Sequence, residues 1–240
     1  MSKKDNLRNL GFLAGGIVLL LFVPPIFSIY VRSFFMFMMM YVILSLSWNI
    51  ISGYTGYINF GHVIFYGVGS YATAILVVDY GWHWIPSLFA AAVAGFIFAI
   101  VLGYPVLRLK GPYFAIAMLG ASEGIRVIAI NWHSLTHGAD GISFPNIENS
   151  WETYHAMMVV MIATIIVSYW VGHSRFGIRL NAIREDEVAA ESLGINTTFY
   201  KLAAFGLSAV FAAMAGGIQG YKTLYLEPES EFFILITIYM

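Results

Sequence analysis

Glu123 and Arg126 stand three residues apart within an apolar stretch, a spacing that places both on one face of a helix. Charges inside a membrane segment are costly, so they turn toward a bundle interior or an aqueous cavity. The pair suits an internal brace or a contact for a zwitterionic ligand, and both readings stay open. A second constellation runs from Gly53 to Gly69, with glycines at Gly53, Gly56, Gly61, Gly67 and Gly69 beside Asn59 and His62. Glycine weakens a helix but lets two helices approach closely. The same composition also suits a partly unwound segment that shows backbone groups to a substrate. His62 by itself reads as a hydrogen-bonded packing residue. His133 and His137 are four apart, but no carboxylate motif accompanies them and Gly138 follows, so no metal ligand is assigned. Walker A, HExxH, GxSxG and kinase signatures are missing from the sequence. No catalytic residue is assigned, and any nucleotide chemistry must come from another chain.

The most informative charges lie in a loop, about Gly172 to Tyr200. Glu185, Asp186 and Glu187 stand where carboxylates favour a helix start. Val188, Ala189, Ala190 and Leu193 continue the helix, and Gly194 is placed to end it. Asn196 and Thr197 can cap the element that follows. The expectation is one short helix, acidic on one side. Glu187 and Glu191 are like charges at i, i+4, and a basic partner surface would relieve their repulsion.

The elements that must hold these residues are membrane spans. Hydrophobic residues make up 60% of the chain and charged ones 10%, against about 25% charged in soluble domains, too few to build a water-facing surface. The net charge of −1 gives no reason to expect a nucleic-acid partner, and the absence of cysteine excludes disulfides and thiolate metal sites. Seven stretches approach the roughly 20 residues a spanning helix needs: Leu10–Tyr30, Phe34–Ile51, Gly56–Val78, Trp84–Leu107, Pro112–Ile130, Thr153–Val171 and Tyr200–Leu226. An eighth begins near Phe232 and reaches Met240 too soon to cross, so the chain is expected to be cut within an element. Lys3, Lys4 and Arg8 before an apolar run resemble a secretory signal, but the run meets Pro24 and Pro25 and continues, so an uncleaved first span is expected. An N-terminus in the cytoplasm puts Lys3, Lys4, Arg8, Arg108, Lys110, Arg175, Arg179, Arg184 and Lys201 inside, as the positive-inside rule asks. The fold class is thus an all-α polytopic bundle over residues 1–240, with about seven complete spans, a truncated eighth and the charged loop of 172–200 in the cytoplasm. Trp132 and Trp151 bracket an outer connection expected to hold a short helix or a lid. Trp82 and Trp84 mark another outer edge, as an interfacial aromatic belt would. Gly120-x-x-x-Gly124 and Gly216-x-x-x-Gly220 are expected to serve packing within the subunit.

The stretch Ala182-Ile-Arg-Glu-Asp-Glu-Val-Ala-Ala-Glu-Ser-Leu-Gly-Ile, followed by Tyr200-Lys-Leu-Ala-Ala-Phe205, resembles the coupling segment of the permeases of branched-chain amino acid ABC importers. The Gly53–Tyr71 segment, Leu109-Lys-Gly-Pro-Tyr-Phe and Gly138-Ala-Asp-Gly-Ile match the same family in order, so the likeness covers about Leu44 to Ser230. It fits the LivM type better than the LivH type. The resemblance implies a multi-pass transport subunit of the inner membrane that is not an enzyme and binds no cofactor. Its implied partners are a second homologous permease, two cytoplasmic ATPases that hydrolyse ATP, and a periplasmic or lipid-anchored amino-acid-binding protein. Arg184, Glu185, Glu187, Ala189, Ala190, Glu191 and Gly194 would then form the ATPase-coupling helix. Gly53, Gly56, Asn59, Gly61, His62, Gly67, Glu123 and Arg126 would line or pack the translocation path. Urea permeases share the coupling loop and offer an alternative substrate. An ion-coupled secondary transporter working through Glu123, Arg126 or His62 is the alternative of a different class.

Overall fold

The computed structural model describes residues 28–144 and 150–233. Among the described residues five helices are long and apolar enough to cross a membrane: α1 (Ile29–Thr55), α3 (Trp84–Val106), α4 (Pro112–Asn131), α6 (Ser150–His173) and α9 (Thr197–Thr223). Between them lie α2 (Val63–Val78), α5 (His133–Thr136), α7 (Arg175–Glu185) and α8 (Glu187–Ser192), with α10 (Pro228–Glu231) last. Two short strands, β1 (Ile142–Ser143) and β2 (Tyr225–Leu226), pair antiparallel with Ile142 opposite Leu226.

Local chemistry sets the ends. Gly56 takes a left-handed conformation (φ 76°) and its N–H reaches Ser52 O at 3.2 Å, closing α1. Pro112 opens α4 at a position where its missing N–H costs nothing. The side chain of His83 caps α3 by accepting from Ile85 N. The spans expected at Trp84–Leu107, Pro112–Ile130, Thr153–Val171 and Tyr200–Leu226 correspond to α3, α4, α6 and α9. The expected boundary between Tyr30 and Phe34 does not exist, because α1 runs unbroken through Arg32 from Ile29. The Arg32 guanidinium lies over the Trp151 ring at 5.7 Å, which gives the charge a place beside the helix. The rest of the Leu10–Tyr30 span and nearly all of the Phe232–Met240 segment fall outside the described residues.

The third expected span is corrected more deeply. Residues 56–62 are not helical, and α2 holds only 16 residues. At 1.5 Å per residue it rises about 24 Å, short of a 30 Å hydrocarbon core. The broken segment is stabilised by side chains: Asn59 N donates to Ser52 Oγ (3.1 Å), Gly61 N donates to Asn59 Oδ1 (3.0 Å), and Trp48 Nε1 donates to Asn59 O (2.9 Å). Irregular backbone at membrane depth survives only when protein satisfies it in this way.

The core forms where α9 crosses α2 and α3. A Cβ on Gly216 would sit 2.1 Å from Tyr66 O, and one on Gly69 would sit 2.0 Å from Ala213 O. Gly216, Gly217 and Gly220 thus do pack α9 within the subunit. Gly120 and Gly124 have nothing within 4 Å and face away from the bundle, against expectation. The far-end connection holds the expected short helix, α5. Trp82, Trp132 and Trp151 are about half exposed there, whereas Trp84 is buried, stacked on Tyr221 and donating to Glu152. Trp84 is therefore a core residue and leaves the expected belt.

Candidate functional site

The charged loop folds as two helices set at an angle by one residue. Ser174 Oγ accepts from Gly177 N (3.2 Å) and starts α7, whose Gly177, Leu180 and Ile183 are buried. Asp186 is extended (φ −156°) and its carboxylate accepts from Val188 N (2.8 Å) and Ala189 N (3.1 Å), starting α8. Gly194 (φ 82°) ends α8, and Asn196 Oδ1 accepts from Phe199 N (3.0 Å) to start α9. The expected short helix, its glycine stop and the Asn196 cap all stand. Glu185 is corrected: it is the exposed last residue of α7, since Asp186 is the residue whose carboxylate meets the free amides. The helix α7 went unread, although Phe176, Leu180 and Ile183 recur at i, i+4, i+7, the signature of an amphipathic helix.

The larger correction concerns Glu187. Its carboxylate faces the bundle. Oε1 lies 2.6 Å from Lys201 Nζ, and Oε2 accepts from the Tyr57 hydroxyl at 2.8 Å. Lys201, only 4% exposed, also donates to Leu107 O (3.1 Å) and Tyr57 Oη (3.2 Å), so its three protons are all placed. Burial works to raise the Glu187 pKa, but the Lys201 and Tyr57 hydrogen bonds outweigh it and hold the carboxyl below its usual 4.5. Glu191 is likewise engaged within the chain, accepting from Thr197 Oγ1 at 2.6 Å. The repulsion between Glu187 and Glu191 is thus relieved from inside rather than by a basic partner. Outward, α8 shows Val188 (62% exposed) and Ala189 beside exposed Glu191 and Ser192, Leu193 just past its end is 81% exposed, and Ala190 is buried.

Arg184 joins this junction to the glycine segment. Its Nη1 donates to Gly53 O at 2.8 Å, and its Cγ lies 3.2 Å from where a Gly56 Cβ would stand. Tyr57 then touches an aromatic column that enters the bundle. Its ring meets Phe114 edge-on at 5.2 Å, Phe114 meets Phe205 at 6.3 Å, and Phe205 meets Phe65 at 5.0 Å. Phe65 reaches His62 at 6.1 Å. His62 is fully buried with Nε2 3.0 Å from Ser47 Oγ, as a packing histidine would be. A cavity of about 110 Å³ beside the junction is lined by Tyr104, Arg108, Glu187, Thr198 and Lys201 among others.

The remaining expected path residues divide. Gly53, Gly56, Asn59, Gly61 and His62 lie together around the break between α1 and α2, where a Gly61 Cβ would strike Met118 of α4 and a Gly53 Cβ would strike Asn49. Gly67 sits farther along α2 against the Phe232 ring. Glu123 and Arg126 form the expected ion pair, with Arg126 Nε donating to Glu123 Oε2 at 3.1 Å, but on the exposed face of α4. The pair is therefore no brace between helices of the described residues. His133 and His137 share no helix face, because His137 is left-handed at φ 60° just past α5. The sequence reading missed Tyr57 and Lys201. Lysine just inside an apolar span was the available signal, since such a charge needs a partner.

Five apolar helices among the described residues, a broken half-helix and a short helix braced from within define a multi-pass helical membrane protein. The profile of the family described as branched-chain amino acid transport system / permease component matches residues 30–240, and the chain belongs to that family. Among curated proteins it is 32% identical over 228 residues to the high-affinity branched-chain amino acid transport system permease protein LivM of Salmonella typhimurium, covering 80% of this chain and 52% of that one. The Escherichia coli LivM is 33% identical over 229 residues with the same coverage. The Escherichia coli LivH is 26% identical over 219 residues, covering 80% of this chain and 70% of that one. The chain thus spans about half the length of the LivM relatives it matches. No solved structure matches it.

Proposed function

We propose that this chain is a permease subunit of an ABC importer, forming part of the path by which branched-chain or other hydrophobic amino acids cross the inner membrane. Its partners are a second, related permease, two cytoplasmic ATPases and an amino-acid-binding protein on the opposite face. The chain itself hydrolyses nothing. The observation that carries the reading is α8: a short helix with exposed Val188, followed at once by exposed Leu193, and held from behind by Glu187, Tyr57 and Lys201. An apolar knob on a charged inner strut is suited to sit in a groove of an ATPase and to pass a push inward. Closure of the ATPases displaces α8, and the strut moves Tyr57 with it. Tyr57 lies in the broken segment 56–62, so the displacement reaches backbone that is not helical. The basic end, with Arg108, Lys110, Arg175, Arg179 and Arg184, is the cytoplasmic one.

Glu123 and Arg126 lie near the middle of α4, on a face where Gly120 and Gly124 also stand open. Charges at that depth do not face lipid. This face therefore lines the aqueous path beside the second permease. The experiment is uptake of radiolabelled leucine into proteoliposomes that hold the permeases and ATPases, with the loaded binding protein outside. Uptake should require ATP and resist competition by urea. Replacing Val188 and Leu193 by Asp should abolish uptake while leaving the chain inserted. Uptake driven by an ion gradient without ATP, or wild-type uptake by the Asp variants, overturns the reading.

A further inference from the structure

Beyond α9 the chain doubles back into the bundle. β2 pairs with β1, and α10 then packs against α2 and α4. The Phe232 ring fills the notch left by Gly67 and stacks on Tyr71, with centroids 5.9 Å apart and planes at 14°. Ser70 and Gly67 lie eight and eleven residues before the end of α2 at Val78, or roughly 12 and 16 Å along it at 1.5 Å per residue. The turn 227–232 therefore reaches into the membrane-embedded part of the protein.

Glu231 is the carboxyl this turn delivers there. It is 7% exposed and lies beside Ser70, whose hydroxyl donates to Tyr66 O at 3.2 Å. Its second oxygen, Oε2, is buried with no hydrogen-bond partner among the described residues. The hydroxyl of Tyr71, 5% exposed and beside it, also has none among them. No Lys or Arg pairs with Glu231 among the described residues. Glu227 adds a like charge, and Glu229 on the same turn is felt by Arg126 of α4, which Glu123 already holds. A buried carboxyl that lacks a cation is costly to keep, and nothing in the packing of α2, α4 and α9 requires it. A glutamine or a leucine would serve the fold at least as well.

The site offers one free carboxylate oxygen and hydroxyl oxygens from Ser70 and Tyr71. It offers no positive charge. Acceptors grouped around a negative charge complement a primary ammonium group, which carries three donors and no acceptor. We propose that Glu231, with Ser70 and Tyr71, receives the α-ammonium group of the amino acid as it crosses the bundle. Phe232 closes this station against Gly67. The station opens by withdrawal of the short turn 227–232, in which α10 is one helical turn flanked by a two-residue strand pair and the Phe232 contact. The assignment rests on the amino acid importer reading and adds to it the group that recognises the substrate's charge within the membrane.

The test uses the reconstituted complex with competitors placed on the ATPase side, where no binding protein is present. Leucinamide keeps the ammonium and lacks the carboxylate, whereas 2-hydroxy-4-methylpentanoate lacks the ammonium. Leucinamide should slow wild-type leucine uptake and the hydroxy acid should not. Glu231→Gln, which keeps volume and removes the charge, should lower the uptake rate at least tenfold and lose the leucinamide effect, and Glu231→Asp should restore part of both. Tyr71→Phe, a milder change that keeps the Phe232 stack, should lower uptake severalfold. Wild-type uptake in both Glu231→Gln and Tyr71→Phe, or equal inhibition by the two competitors, overturns the ammonium station and leaves the importer reading standing. Absence of ATP-driven leucine uptake by the wild-type complex overturns both.

Discussion

Replacing Glu187 by alanine should release α8 from the bundle, and the size of the effect follows from what is left behind. The substitution strands Lys201, which is 4% exposed and retains only Leu107 O and the Tyr57 oxygen as acceptors. Breaking a buried ion pair by removing one partner costs about 3–5 kcal/mol. Because the Glu187 side chain is 14% exposed, the lower end, about 3 kcal/mol, is the better figure. At about 1.4 kcal/mol per factor of ten, the fraction of molecules with α8 detached should rise roughly 100-fold. The chain has no cysteine, so a single Ala190→Cys, on the buried face of α8, reports that opening by its rate of maleimide labelling. Labelling in the Glu187→Ala background should be about 100-fold faster than in the parent, by the same conversion. The paired change Glu187→Leu with Lys201→Met removes both charges and should label at a rate close to the parent, because an apolar pair of similar volume replaces the ion pair with little loss. A Glu187→Ala rate within threefold of the parent refutes the strut. So would equal acceleration in the paired variant, since that would assign the effect to lost volume.

The pH dependence of the junction follows from the same pair. The folded Glu187 pKa lies below its ordinary 4.5, so its contribution is fully present above that value and is lost as pH falls through the lower folded value. A spin label at Ser192→Cys on α8 should keep constant mobility from pH 8 to pH 5 and loosen only in stronger acid. Gly216→Leu should destabilise the protein by about 3 kcal/mol, the upper end for overpacking, because its Cβ would lie 2.1 Å from the Tyr66 carbonyl. Circular dichroism during titration with dodecyl sulfate measures this, and Gly120→Ala, with open space around it, should unfold like the parent. Asp186→Ala removes the acceptor of two amide protons at the start of α8 and should cost about 1 kcal/mol. Gly194→Ala should cost a similar amount, about 1 kcal/mol, because its φ of 82° suits glycine and no neighbour crowds it. Hydrogen exchange of the α8 amides reads both, and unchanged protection in either variant contradicts the assigned caps.

The sequence by itself determined the elements whose signals are local. Runs of apolar residues located α3, α4, α6 and α9, because a span is specified by length and hydropathy alone. Gly194 and Asn196 stopped and started helices as read, since a cap involves residues only two to four apart. The same locality explains the near misses. Asp186 rather than Glu185 heads α8 because only one of three adjacent carboxylates meets the free amides, and that depends on the bend after α7. The glycine segment could be read as packing or as unwound backbone, and the structure uses Gly67 and Gly69 for the first and residues 56–62 for the second. Tertiary structure alone decided where the charges point. Glu187 faces inward because Lys201 and Tyr57, 14 and 130 residues away, arrive at the same place. Glu123 and Arg126 pair on the exposed side of α4, where of the other described helices α10 comes close enough for Glu229 to act on Arg126. Glu231 is buried because the turn after α9 folds back onto α2, 161 positions earlier at Ser70, a contact no window along the chain contains. A buried charge is settled by whichever partners the packing brings within about 3 Å, and that geometry exists only once the helices have assembled.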